Sequence, residues 1–525
     1  MIEARSASAA ATVAAEPIRA PDGTTLWRAI GRAPNEGTPW IALTLLVAVA
    51  AILRLLTLGH GLWWDEIRTL VDSVRLPLRQ IVTVFPGDNQ HTLFSILAHL
   101  SISVFGESAW SLRLPAALFG IVTVPLLYAC AREFVGRTEA LAAALLLTVS
   151  YHHVWFSQSA RGYAMLAFFT LLCTWLLLHG LRSTRTLFFV WYGIVAALAI
   201  YTHVTMVFLV VSHAALCVLP LGLPWPLRTA WPRWRGPLTG FVLAGALGLA
   251  LNLPFLLEVR QAVVDAPSPM QAATPTWALL ELIRGMQLGL GGLIGAVAGA
   301  ALFAIGAWSY YRQSQFLIGL FLVPGAVTLV ANVVLHRPVR PRFVFFLAGF
   351  LVLIVVRGVL EVGRWVQQRG ASGGPHVTTT GIGLALLLAA ASASALSPNY
   401  RYPKQDFVAA MAYVDAHAAP GDIVVTAGGA RYPYREYFRR EWEGVETVEA
   451  LAELRGRGAP VWVVRTMDGY IRANAPALLT LLESECTSAE RFRGTVADGD
   501  LTVCKLTPIG ATLSAPTSPP APGVP

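Results

Sequence analysis

Apolar residues gather along this chain into long runs separated by short polar connections. The runs fall at about 39–58, 112–130, 138–151, 161–180, 186–202, 204–220, 237–257, 286–308, 315–335, 343–360 and 377–396. At roughly 14 to 23 residues each they suit bilayer-crossing helices, for which about 20 residues are needed. Eleven spans are therefore expected. Two shorter stretches carry a different pattern. The segment 91–105 sets Thr92, Ser95, His99 and Ser103 as a polar stripe at helical spacing, which suits a helix lying along the interface. In "DEIRTLVDSVR", Ile67, Leu70, Val71 and Val74 share one helical face while Asp65, Thr69 and Asp72 share the other, predicting an amphipathic helix resting on the bilayer. Trp63 and Trp64 just before it fit the aromatic belt at headgroup depth.

From about residue 397 the runs give way to alternation typical of a soluble domain. A Pro-containing linker, "SPNYRYPKQ", precedes the helical "DFVAAMAYVDAHA", the strand-like "IVVTA" and "PVWVV", the helical "ANAPALLTLLESE" and a last strand "DLTVCKL". The fold class expected is mainly α: a polytopic membrane protein with interfacial helices and a small C-terminal extracytoplasmic α/β domain. The divisions are a disordered cytoplasmic tail over 1–38, a transmembrane domain over 39–396 with its first outer loop at 59–111, the soluble domain over 397–507, and a disordered tail over 508–525.

Composition sharpens this picture. Of the 525 residues 55% are hydrophobic and only 13% charged, which marks a membrane protein. The net charge of +9 is scattered between apolar runs, so topology and anionic lipid explain it and nucleic acid is not an expected partner. Arg132 and Arg137, then Arg182 and Arg185, then Arg228, Arg233 and Arg235, then Arg357, Arg364 and Arg369 fall on alternate connections, which are expected to be cytoplasmic. With the N-terminus inside and an odd span count, the C-terminal domain lies outside, in a bacterial cytoplasmic membrane. There Cys486 and Cys504 could pair or stay free. Cys130, Cys173 and Cys217 read as small core residues.

That topology collects "WWDE", "DNQHT", "SYHHVWFSQSARGY", "YTHVT" and "HRPVRPR" on one face. The blocks "LWWDE", "DNQHTLFSILAHLSISVFGESAWSLRLPAALFG", "FSQSARGYAMLAFF" and "RPRFVFFLAGFLVL" resemble, in order over roughly 39–365, those of the GT-C class of membrane glycosyltransferases. The likeness is specifically to the protein O-mannosyltransferase and aminoarabinose (lipopolysaccharide sugar) transferase relatives. The resemblance implies transfer of a sugar from a polyprenyl-phosphate carrier to a lipid, glycan or protein acceptor at the outer membrane face, with Asp65 at the catalytic acidic position. It also implies that His91 lines the sugar site. Two departures, "HTLF" where relatives have a His-Pro-Pro block and "SQSARGY" where others have a second acid, leave the sugar, the acceptor and any metal unspecified.

The chemistry of the residues agrees with that implication. A glycosyl phosphate already carries a good leaving group, so one base for the acceptor hydroxyl and cations around the phosphate suffice. Asp65 is the candidate base, or else it solvates the interfacial helix; Glu66, about 100° away on a helix, is assigned to orientation or acceptor binding. Arg161 would need a partner at its depth, a phosphate or Asp65, unless it snorkels to headgroups, and Tyr163 lies beside it. Arg340 and Arg342 break the charge bias of the outer face, as phosphate ligands or generic lipid contacts. Tyr201 and His203 are substrate-binding or interfacial packing residues. No cofactor is required by this scheme, and a divalent metal stays open, because the spacing of Asp72, Asp88, Glu107, Glu258 and Asp265 specifies no site. The rival is a transporter or lipid flippase, which would set charges at the bilayer midplane or repeat itself internally, and neither pattern is present.

Overall fold

The computed structural model describes residues 37–87, 90–183, 185–218, 231–261, 283, 292–335, 341–369, 379–486 and 489–508. Residues 1–36 and 509–525 of the expected tails lie outside these residues, as do Asp88, Asp265 and Arg340. The membrane domain opens with α1 (Trp40–Leu55), followed by the short α2 (Trp64–Thr69), which runs on into a π-helical turn at Leu70–Val74. Next come α3 (Thr92–Phe105), α4 (Ala109–Ala131), α5 (Arg137–Thr148), α6 (Tyr151–Ser157), α7 (Tyr163–Ser183), α8 (Thr186–Thr202), α9 (Met206–Val218) and α10 (Trp231–Asn252). Helices α11 (Leu293–Gln313), α12 (Gln315–Val334), α13 (Ala348–Arg369) and α14 (Thr379–Ser394) complete it, α13 being preceded by a 3-10 segment at Pro341–Leu347.

Seven of these elements are long and apolar enough to cross a membrane, and eight if α5 and α6, bent by 57° at their junction, form one broken span. The eleven spans expected would also need the shorter apolar helices, which include α1, α8 and α9. Local chemistry accounts for several boundaries. Ser108 caps α4 by accepting from the Ser111 N–H at 3.1 Å. The break between α5 and α6 is held by Arg54 of α1, whose buried guanidinium donates to the carbonyls of Leu147 and Thr148, where α5 runs out of intrahelical donors. The same guanidinium meets His153 Nδ1 at 2.8 Å. Helices α11 and α13 touch backbone to backbone: a Cβ at Gly306 would lie 1.8 Å from the Ile354 carbonyl oxygen, so only glycine fits.

Arg182 and Arg357 lie at one end of the bundle, where Arg182 pairs with Glu133 and Arg357 with Glu139 at 3.0 Å. The other end carries α2 and the C-terminal domain. There α2 differs from expectation. Ile67, Leu70 and Val74 are buried to 1% or less within the main protein core, so its apolar face is closed by protein and not by lipid. Trp63 is likewise buried against Trp155, ring centroids 5.7 Å apart, so its ring is closed off by protein, and the half-buried Trp64 packs on Tyr432 of the C-terminal domain. An apolar helical stripe is blind to whether acyl chains or side chains cover it.

The C-terminal domain comprises α15 (Phe407–His417), β1 (Ile423–Gly428), β2 (Glu443–Val445), α16 (Val448–Arg455), β3 (Val461–Thr466), α17 (Asp468–Asn474), α18 (Pro476–Glu485), β4 (Glu490–Phe492) and β5 (Leu501–Leu506). Its sheet runs β2-β1-β3-β5-β4, with β2, β1 and β3 parallel and β5 antiparallel to both β3 and β4. The central β3, "VWVVRT", is buried along its whole length, as a strand covered on both faces must be. Cys486 and Cys504 are joined by a disulfide within this domain.

Candidate active site

Helix α2 begins at Trp64, so its first turn carries Asp65 and Glu66 side by side, both buried, and sends their side chains in different directions. Glu66 points inward to Arg113 in the second turn of α4. Its Oε1 accepts from Arg113 Nε at 2.8 Å and from the Ala160 N–H at 2.7 Å, and its Oε2 accepts from Arg113 Nη2 at 2.5 Å and from the Trp63 N–H at 3.3 Å. Four hydrogen bonds saturate a carboxylate. Burial opposes ionisation of Glu66, but the Arg113 guanidinium, Lys404 and the Ala160 N–H outweigh it and hold the carboxyl below the usual carboxylate range. Arg113 in turn donates to the carbonyls of Leu58, His60 and Gly61, tying the end of α1 to α2.

Asp65 points the other way and pairs with Arg342, Oδ2 to Nη1, at 3.0 Å. Arg342 stands in the 3-10 segment leading into α13, so two elements 277 residues apart in sequence meet at this ion pair. Arg161, in the turn before α7, is 2% exposed and so does not snorkel to headgroups. Its Nη1 donates to Thr69 Oγ1 at 3.4 Å, and Thr69 Oγ1 donates to the Asp65 carbonyl at 2.8 Å. The Arg161 guanidinium also lies 5.5 Å from the Tyr163 ring.

His91, immediately before α3, packs on Tyr163 with ring centroids 5.0 Å apart and on His203 at 4.8 Å. Burial, then the charges of Arg161, His203 and Arg342, push His91 toward its neutral form. Both ring nitrogens of His91 and the hydroxyl of Ser95, one helical turn on, are buried without hydrogen-bond partners among the described residues. Unpaired buried polar groups cost free energy and call for an explanation. Tyr201 stands apart from these groups in its ring contacts, stacking on Phe255 with centroids 6.4 Å apart.

Asp65, Arg161, Arg342, His91, Tyr163 and His203 therefore belong to one buried polar cluster at a single end of the bundle. Among the described residues no group of three or more His, Cys, Asp or Glu could hold a metal ion. Three participants escaped sequence reading. Arg113 lies inside the apolar run 112–130, where nothing singles it out, while Lys404 and Gln405 sit in what reads as a plain linker. Lys404 is buried, with Nζ donating to the Gln158 carbonyl at 2.6 Å. Burial lowers its pKa to about 7, opposed by Glu66 and reinforced by Arg113.

The sequence profile of a family described as dolichyl-phosphate-mannose-protein mannosyltransferase matches residues 91–244, which carry His91, Arg161, Tyr163, Tyr201 and His203. Apo ArnT from Cupriavidus metallidurans aligns over 89% of this chain and 97% of its own, with TM-score 0.50 and 14% sequence identity. The fold is that of the GT-C membrane glycosyltransferases. ArnT bound to undecaprenyl phosphate aligns over 90% of this chain and 98% of its own, at 15% identity and TM-score 0.47. YkcB of Bacillus subtilis (strain 168), for which mannosyl transfer is itself a proposed activity, is 28% identical over 186 residues, 35% of this chain. The matched part spans 25% of the length of YkcB.

Proposed function

We propose that this GT-C protein transfers a glycosyl group from a polyprenyl-phosphate carrier to an acceptor hydroxyl at the outer face of the cytoplasmic membrane, with Asp65 as general base. The observation that carries this reading is the pairing of Asp65 with Arg342 beside His91 and Ser95, whose buried polar atoms lack partners among the described residues. A carboxylate, two guanidinium groups and unsatisfied polar atoms match a sugar linked to a phosphate. As the donor docks, its phosphate competes with Asp65 for Arg342, and Arg161 adds a second cation. Asp65, released, accepts the proton of the acceptor hydroxyl as that oxygen bonds to the anomeric carbon. The bond from anomeric carbon to phosphate oxygen breaks, and the carrier phosphate leaves with the electron pair. His91 and Ser95 hydrogen-bond sugar hydroxyls, with Tyr163 and His203 packing around them. Glu66 acts by position: with its oxygens saturated, it fixes α2 to Arg113 and to the turn that carries Arg161.

The ArnT of like fold is known with undecaprenyl phosphate, which supports a polyprenyl-phosphate donor here. The gathering of Arg182 and Arg357 at the end opposite Asp65 supports a cytoplasmic placing of that end and an outer placing of the site. Purified protein in lipid, given radiolabelled polyprenyl-phosphate sugars, is expected to pass label to an acceptor fraction. Asp65→Asn is expected to slow transfer by about 100-fold or more, the usual range for a lost general base, while donor binding persists. Undiminished transfer by that variant, or movement of donor across the membrane with no new glycosidic bond, would overturn the proposal.

A further inference from the structure

We infer that Gln405, in the linker between the membrane domain and the C-terminal domain, is a positioning residue for the active-site helix: it caps α2 from the far end of the chain. The inference rests on the proposed role of Asp65 for its kinetic consequence, but not for its structural one.

The first N–H groups of any helix lack intrahelical acceptors, and a Ser, Thr, Asp or Asn side chain at the N-cap commonly supplies one. Here the N-cap is Trp63, whose indole offers no acceptor oxygen. Glu66 reaches back to the Trp63 N–H, which leaves the Trp64 N–H to be satisfied. Gln405 Oε1 accepts it at 2.9 Å, across 341 residues of sequence. Gln405 is 1% exposed, and its amide nitrogen is fixed in turn by donating to Thr466 Oγ1 at 3.3 Å, at the end of the central strand β3. A continuous path thus runs from the sheet of the C-terminal domain through one side chain to the N–H of Trp64, the residue before Asp65.

The neighbouring residue anchors the other side of the site. Lys404 Nζ binds the Gln158 carbonyl in the turn that continues to Ala160 and Arg161, and its own carbonyl accepts from the N–H groups of Thr495 and Val496 at 3.1 and 3.2 Å. Trp155 donates to Thr495 Oγ1 at 3.2 Å, so the loop between β4 and β5 clasps both linker and α6. The C-terminal domain therefore holds the base helix and the turn bearing Arg161 in one frame.

The test uses the full chain in lipid with Gln405→Ala, Gln405→Glu and Gln405→Asn. Hydrogen exchange over residues 61–75 is expected to quicken about tenfold in Gln405→Ala, the scale of one lost cap, with protection of β3 kept. Turnover is expected to fall about tenfold with donor KM unchanged, because the base is misplaced while the donor site stands. Gln405→Glu keeps an acceptor of the same reach and is expected to restore both readouts; Gln405→Asn, one methylene shorter, is not. Unchanged exchange in Gln405→Ala, or equal damage from alanine and glutamate, overturns the inference. If wild-type protein transfers no sugar while the exchange pattern holds, the positioning contact stands and the proposed function fails.

Discussion

Replacing Arg113 by methionine would leave the Glu66 carboxylate in a site that water does not reach. Side-chain exposure is 2% for Arg113 and 0% for Glu66, so solvent cannot substitute for the missing partner. Removing one member of such a buried pair costs about 3–5 kcal/mol, most of it the penalty of the stranded charge. The carbonyls of Leu58, His60 and Gly61 lose their Arg113 donors in the same substitution, which places the expected loss toward the upper part of that range. Glu66→Gln keeps shape and two hydrogen-bonding atoms and is expected to lose about 1.5–3 kcal/mol, the worth of hydrogen bonds to a charged group. The double variant Arg113→Met/Glu66→Leu removes both charges and is expected to be less destabilised than the sum of its singles, with a coupling of 1 kcal/mol or more by order of magnitude. Reversible unfolding in mixed micelles measures these three and the Glu66→Leu single that closes the cycle. An Arg113→Met variant within about 1 kcal/mol of wild type, or a coupling indistinguishable from zero, would refute the claim that this pair fixes the frame of the site.

Arg342→Ala removes the partner of Asp65 and the proposed phosphate ligand, so donor affinity is expected to fall about 10- to 100-fold, the equivalent of roughly 1.5–3 kcal/mol, with partial recovery in Arg342→Lys; titration of a polyprenyl phosphate against the purified protein measures this, and unchanged affinity would remove Arg342 from the site. Lys404 supplies a pH test. Its pKa is lowered from 10.5 to about 7 in the folded protein, so between those values the unfolded chain binds a proton that the native one does not, and stability rises with pH through that window. The slope due to this one group is at most roughly 1.4 kcal/mol per pH unit. Glu66, held below the usual carboxylate range, faces the same ammonium and stays ionised through that window, so Lys404→Met is expected to flatten the profile; an unaltered slope would show that Lys404 titrates normally.

The membrane architecture and the larger elements of the C-terminal domain were legible because each has a long enough pattern. The expected helix "DFVAAMAYVDAHA" is α15, and "IVVTA", "PVWVV" and "DLTVCKL" are β1, β3 and β5. Strands β2 and β4, three residues each, are too short to show any period. The apolar stripe of α2 was legible as a stripe but not as a protein contact, since Ile67 and Leu70 would look the same against acyl chains. In the site, Asp65, Arg161 and Arg342 could be singled out because charge at the ends of apolar runs is unusual, and His91 through the resemblance to the GT-C blocks. Their meeting depends on contacts between elements up to 277 residues apart, which no local pattern encodes. Arg113 and Gln405 were invisible for the opposite reason: arginine near a helix start and glutamine in a linker are ordinary until a buried partner is seen.

The role proposed for Asp65 and Arg342 depends on where a carrier headgroup docks. A density map of the protein with a bound polyprenyl phosphate is the most direct measurement. The expected result is the phosphate within hydrogen-bond distance of the Arg342 guanidinium, Asp65 separated from that guanidinium, and the first isoprene unit leaving between the helices of the same end. A headgroup lodged at the opposite end of the bundle, or one bound with the Asp65–Arg342 pair intact and remote from it, would contradict the account.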